Sequence, residues 1–251
     1  MIIIIDRISR NILLLLFFFV SGQTIIAQGK PDEVAKNEQI VRKYFNWLDA
    51  NGRKNFSLSD LMINAAFSLL NTPYVPAVLE RNDEEKLVVN LQELDCMTFV
   101  ENCLALSRSA QYSSPDYDYF VRELRKIRYR KGVIQGYTSR LHYTTDWLYD
   151  NAEKGIMEDI TYALGGKKFK PQVSYMSSHP DLYPALKDNL PEVERMIEIE
   201  NQINRRNSYY YIPRNEIQEK TALIKNGDII CFTTSLPGLD ISHLGIAYWN
   251  K

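Results

Sequence analysis

Apolar residues recur at helical spacing through most of the chain and alternate with polar ones only near its end. Val34, Ile40, Val41, Tyr44, Phe45 and Leu48 mark one face of a helix over residues 33–50, which Asn51-Gly52 ends. A second helix is predicted over 58–70, stopped by Asn71-Thr72-Pro73. Residues 86–91 (KLVVNL) read as a short strand. Helices follow from Cys96 to about Ala110, over 116–129 and over 140–152, and then short strand and loop mix through 158–190. Residues 191–205 predict a charged helix whose Glu192, Glu194, Glu198 and Glu200 form a solvated face with Arg195, Arg205 and Arg206. Tyr209, Tyr210 and Tyr211 suit either a half-buried strand or a platform for stacking a sugar. Residues 227–233 (GDIICFT) and 240–249 (DISHLGIAYW) are two strands joined by a turn at Pro237-Gly238. This order predicts an α+β domain, a helix-rich N-terminal half packed on an antiparallel sheet.

The N-terminus changes the compartment. Arg7 and Arg10 precede an apolar run over 12–20, and a polar-to-small stretch ends at Ala27-Gln28. Residues 1–27 therefore read as a secretory signal peptide, since the run is shorter than the roughly 20 apolar residues of a membrane span. Asp6 and Ile25 depart from that pattern, and an uncleaved anchor is the alternative. The expectation is one mature domain over 28–251, exported to the periplasm or beyond, with no stable membrane insertion once the leader is cut. With 45% apolar and 24% charged residues and a formal net charge of −1, the chain has no bulk charge to draw it to nucleic acid. Three cysteines in an oxidising compartment leave at least one thiol unpaired. Cys96 and Cys103 lie roughly 10 Å apart along one helix, too far for a disulfide. The absence of a short Cys-x-x-Cys pair argues against a structural zinc site, and neither metal nor cofactor is expected.

The segment around Asp95-Cys96 carries the candidate chemistry. Asp95 is a suitable N-cap, which puts Cys96 in the first helical turn, where unpaired N–H groups and the helix dipole favour a thiolate and can hold an oxyanion. The same stripe (Cys96, Phe99, Val100, Cys103) also suits a small buried hydrophobe. Cys103 and Cys231 fit that second role. A cysteine nucleophile needs a base. Of the three histidines, His243 lies on the last strand, where alternation puts it on one face with Ile241, Gly245 and Ala247, a face small enough for a helix to pack closely. A buried histidine satisfied by a carbonyl fits the same pattern. His179 reads as an exposed loop residue. His142 belongs to a stretch, 137–147, in which Arg140, Tyr143 and Trp147 are expected to line a cleft that recognises an acetamido sugar and a carboxylate; a surface helix with Trp147 in the core fits the same stretch.

Asp-Cys ahead of an apolar helix, with a later strand bearing His-x-Gly, resembles the NlpC-type, papain-like cell-wall cysteine peptidases. Thr72-Pro73-Tyr74-Val75 with Leu79-Glu80, Asn90-Leu91 to Leu94-Asp95-Cys96 with Thr98-Phe99-Val100-Glu101, Arg140 with His142-Tyr143 and Asp146-Trp147, Asn226-Gly227-Asp228-Ile229-Ile230, Gly238-Leu239-Asp240-Ile241 and His243-Leu244-Gly245-Ile246-Ala247 resemble one branch, the bacterial N-acetylmuramoyl-L-alanine amidase-like family. The resemblance implies a papain-like fold and hydrolysis of the amide between N-acetylmuramic acid and L-alanine in peptidoglycan fragments, by Cys96 and His243 through a thioester. In that superfamily a third polar residue, on the strand after the histidine, orients the imidazole. Trp249-Asn250-Lys251 reads as the opening of a hairpin, so the returning strand and this residue are expected beyond 251; Asp240, on the face opposite His243, is a poor substitute. The alternative function is a catalytically inactive module of the same fold that binds muropeptide or glycan.

Overall fold

The computed structural model describes residues 2–5, 31–82 and 84–250. The leader reading of 1–27 lies outside these residues except for β1 (Ile2–Ile5), whose backbone pairs antiparallel with β4 (Ile229–Thr233). On its other side β4 pairs antiparallel with β5 (Ile241–Ile246), which makes a small sheet of order β1-β4-β5. The helices α1 (Pro31–Ala50), α2 (Leu58–Ser68), α3 (Cys96–Ser109), α4 (Tyr117–Arg128) and α5 (Thr144–Glu153) precede it. Between them and the sheet come β2 (Lys167–Lys168), α6 (Tyr175–Ser178), α7 (Leu190–Arg205), β3 (Tyr210–Tyr211) and α8 (Ile217–Lys220). The architecture is α+β, with helices and small antiparallel sheets. Among the described residues no helix is long and apolar enough to cross a membrane.

α3 is the central element. From Val100 to Leu106 it is buried on every side, between α2, α4 and β5, as a helix apolar around most of its circumference must be. Its neighbours offer single stripes, such as Val41, Tyr44, Phe45 and Leu48 on α1 and Phe120, Leu124 and Ile127 on α4.

The segment expected to be a strand, 86–91, is extended but joins no ladder. Side chains bind its backbone instead. The Asn37 amide donates to Val89 O at 2.8 Å and accepts from Leu91 N at 3.0 Å. Arg128 Nη1 donates to Val88 O at 2.5 Å, and Tyr129 Oη donates to Lys86 O at 3.0 Å. Buried backbone groups need partners, and here α1 and α4 supply them. Asn37→Ala would leave two of these groups unpaired. It is expected to lower stability by about 2–4 kcal/mol, read as a shift of the urea midpoint at constant slope.

The charged helix also departs from expectation. Glu192, Met196, Glu200 and Ile203 form a buried stripe on α7. Glu192 accepts from Thr138 N, and Glu200 accepts from Ser177 N and Tyr143 Oη, so these two acids bind other segments rather than solvent. Tyr210 and Tyr211 form a short strand with β2, and Tyr209 is buried in the second core cluster.

Candidate active site

Asp95 caps α3. Its Oδ1 accepts from Thr98 N at 2.8 Å, and Thr98 Oγ1 accepts from Asp95 N at 2.9 Å, a reciprocal box that fixes the first turn. The approach to the cap is fixed as well. Val75 N donates to Leu94 O and Leu94 N to Pro73 O, both at 3.0 Å, a parallel bridge that sets Tyr74 beside the start of α3. Cys96 is a free, partly buried thiol there, against the backbone amides of Leu244, Met97 and Cys96 itself.

Cys96 and His243 border one cavity of about 300 Å³, walled by Leu69, Leu70 and Tyr74 on one side and by Leu244 and Gly245 on the other. The strand reaches this position by a route the alternation did not foresee. A bulge between Phe232 and Thr233 pairs Phe232 with His243 and Thr233 with Ile241. Ile241 therefore joins Leu244 in the core while His243 is exposed, so Ile241 and His243 do not share a face. Gly245 plays a different part too. A Cβ placed there would meet nothing within 4 Å, so the small residue leaves the cavity open beside the imidazole instead of admitting a close helix. The ring of His243 lies over Phe232, centroids 6.1 Å apart at 25°. Tyr74, cited for its motif and given no role, is 66% exposed on the rim of the same cavity. Its signal was the bridge partner Leu94, which the one-dimensional pattern does not contain.

The expected depression of the thiol pKa is not what the surroundings produce. Burial pushes the Cys96 thiol up, and the Asp95 carboxylate adds to this. The three backbone amides pull the other way with less effect. Burial therefore favours the thiol form of Cys96 over the thiolate. Alkylation of Cys96 by iodoacetamide should accelerate with rising pH, with a midpoint above that of an ordinary thiol, because the acid form is the one favoured by burial. Rates already level near pH 6 would mean a resting thiolate–imidazolium pair.

A second cavity, of about 240 Å³, shares Asp95 with the first. Arg140, His142 and Tyr143 line it. Arg140 is not free to bind a substrate carboxylate. It donates to Glu80 at 2.7 Å and to Glu85 at 3.1 Å, is almost wholly buried, and is held charged by those two acids against the cost of burial. Its removal would leave two acids unpaired, so the role that spacing suggested, simple anion recognition, gives way to holding the wall together. Tyr143 Oη donates to Glu200 at 2.6 Å and accepts from Met176 N at 3.0 Å, so it presents its ring. Trp147 lies elsewhere, fully buried in the main core, and its Nε1 has no hydrogen-bond partner among the described residues. Asp240 accepts from Thr145 N at 2.7 Å and Thr145 Oγ1 at 2.8 Å, capping α5 from a distant loop, and this places its carboxylate at α5. Cys103 and Cys231 are fully buried, and burial drives both thiols up. His179 is exposed against Tyr175. Among the described residues no group of three or more His, Cys, Asp or Glu is placed to hold a metal ion.

A model of the AmiA-like, N-acetylmuramoyl-L-alanine amidase-like family matches residues 64–251. The chain belongs to this family. Both cavities fall within the matched span. A crystal structure of an N-acetylmuramoyl-L-alanine amidase from Bacteroides uniformis is similar to the chain at 38% identity and TM-score 0.72, covering 77% of this chain and 81% of that one. A Bacteroides fragilis protein described provisionally as a xylanase is 41% identical at TM-score 0.71, covering 74% and 81%. The Legionella pneumophila protein LPG0564, 21% identical at TM-score 0.62 over 88% and 83%, shares the fold. No curated protein matches the chain.

Proposed function

We propose that this family member is a cysteine amidase of the NlpC-type, papain-like kind, which cleaves the bond between N-acetylmuramic acid and L-alanine in peptidoglycan fragments. The observation that carries the reading is the shared cavity: Cys96, on the first turn of α3, and His243, on β5, face the same 300 Å³ space in a chain of amidase-like family. In this reading His243 takes the thiol proton as Cys96 Sγ attacks the lactyl carbonyl carbon. The N–H groups at the start of α3 steady the oxyanion. The imidazolium then protonates the departing L-alanine nitrogen as the C–N bond breaks, and water hydrolyses the thioester to free the thiol and the sugar acid. The raised thiol pKa of Cys96 fits this order, in which proton transfer accompanies attack. Residues 1–27 are the export leader, the mature domain begins at residue 28, and the place of action is the periplasm or the exterior.

The test is mass analysis of a muramoyl tripeptide after incubation with the full chain. The expected products are the free sugar acid and an intact peptide beginning with L-alanine. Cleavage only at the γ-D-glutamyl bond would make the protein an endopeptidase. Tight binding with no cleavage would favour the inactive binding module.

A further inference from the structure

The second cavity differs from the first in one respect that bears on what enters it. It is lined by four acids, Glu80, Asp95, Glu101 and Asp240, and two arginines, Arg128 and Arg140, and the carboxylates of Asp95, Glu101 and Asp240 are bound by Thr98, Arg128 and Thr145. Both cations are already taken, Arg128 by Glu101 and the Val88 carbonyl, Arg140 by Glu80 and Glu85. Glu80 accepts from Arg140 and from Tyr137 Oη, yet its side chain keeps 22% exposure, so it has lone pairs to offer. His142 adds an independent acceptor. Its Nε2 lies 2.9 Å from Tyr137 O. A carbonyl only accepts, so Nε2 carries the proton; burial and the Arg140 charge push the ring's pKa down, which leaves Nδ1 a lone pair with no hydrogen-bond partner among the described residues, on a half-buried ring that borders the cavity. The cavity thus offers hydrogen-bond acceptors from Glu80 and His142, and both of its arginines are already paired.

On the amidase reading, the two parts of the substrate differ in just this property. The stem peptide carries carboxylates, for which the paired Arg128 and Arg140 offer no free charge and which the partly exposed Glu80 disfavours. The saccharide is uncharged beyond its lactyl amide and presents several O–H donors and an acetamido N–H, which carboxylates and a neutral imidazole accept. We infer that the cavity lined by Glu80 and His142 is the saccharide subsite, with these two side chains accepting from the sugar, and that the stem peptide leaves by the more apolar cavity that holds Cys96 and His243. This inference rests on the amidase reading and fixes the direction in which the substrate lies across Cys96.

The experiment uses the full chain carrying Cys96→Ala, titrated by NMR or calorimetry with two probes: uncharged N-acetylmuramoyl amide, and the peptide L-alanyl-γ-D-glutamyl-diaminopimelate. Glu80→Gln should weaken the sugar probe tenfold or more, and Tyr183→Phe, a milder change in the same wall, a fewfold; neither should move the peptide's affinity. A melting curve checks each variant's fold, and Tyr183→Phe carries the test where Glu80→Gln does not fold. Sugar binding indifferent to the variants, or peptide binding that responds to them, overturns the inference. The two readings separate in turnover by the unsubstituted chain. Muropeptide cleavage with a KM unmoved by Glu80→Gln and Tyr183→Phe sinks the subsite alone. Sugar binding that responds to Glu80→Gln without any cleavage sinks the amidase alone.

Discussion

Serine in place of Cys96 is expected to leave the fold intact and to lower muramoyl-peptide turnover on the order of 10³- to 10⁶-fold. The fold should survive because Cys96 only partly packs against the core, and a hydroxyl on the first turn of α3 has neighbouring amides to bond. The chemistry should not survive, because an alkoxide is far harder to form than a thiolate even where burial has raised the thiol pKa. His243→Ala should cost about as much, and the double variant hardly more, since nucleophile and base act as one unit. Cys103→Ser and Cys231→Ser supply the contrast. Both put a hydroxyl at a fully buried site and should lower stability while kcat per folded molecule stays near that of the unsubstituted chain. The measurement is steady-state release of the L-alanine-initiated peptide, normalised to folded protein. Turnover retained by Cys96→Ser, or lost equally in Cys103→Ser, would remove the thiol from the mechanism.

How far the sequence reads through to this site depends on the range of the contact. The cap at Asp95 and the start of α3 were legible because the signal is local: an acceptor followed by an apolar stripe, with the partner Thr98 three residues on. α1, α2 and α4 were legible for the same reason. The segment 86–91 failed as a strand because Asn37, Arg128 and Tyr129, all far along the chain, bind its backbone, and apolar residues alone do not say whether a ladder or side chains will do so. α5 starts at Thr144 and not at 140, since its cap is Asp240, 95 residues away. The face of His243 was misassigned by one bulge, because strand alternation carries no memory of an extra residue. Arg140 looked like an anion binder until Glu80 and Glu85 were found on it, and Trp147 looked like a cleft wall because an amphipathic stretch does not announce which aromatic turns inward.

The largest stability effect is expected at the ion pair between α3 and α4. Arg128 Nε donates to Glu101 Oε2 at 2.7 Å, with each side chain only 2% exposed. Removing one partner leaves a buried charge alone, which costs about 3–5 kcal/mol. A domain has about 5–15 kcal/mol in total, so this is a large share of it. At about 2–4 °C per kcal/mol for a chain of this size, Arg128→Met should lower Tm by roughly 6–20 °C. Arg128 also holds Val88 O, and through it the strap that runs into the Asp95 cap. Turnover should therefore fall below what the lost folded fraction explains, as the first turn of α3 loosens. Glu101→Leu should be comparably harmful. The combined Arg128→Met, Glu101→Leu variant should recover part of the loss, because two apolar side chains leave no unpaired charge behind. Thermal and urea unfolding of the four proteins give the coupling energy directly. Single variants within about 3 °C of the unsubstituted chain, or a double variant whose loss is the sum of the two, would show that the pair does not hold α3 against α4.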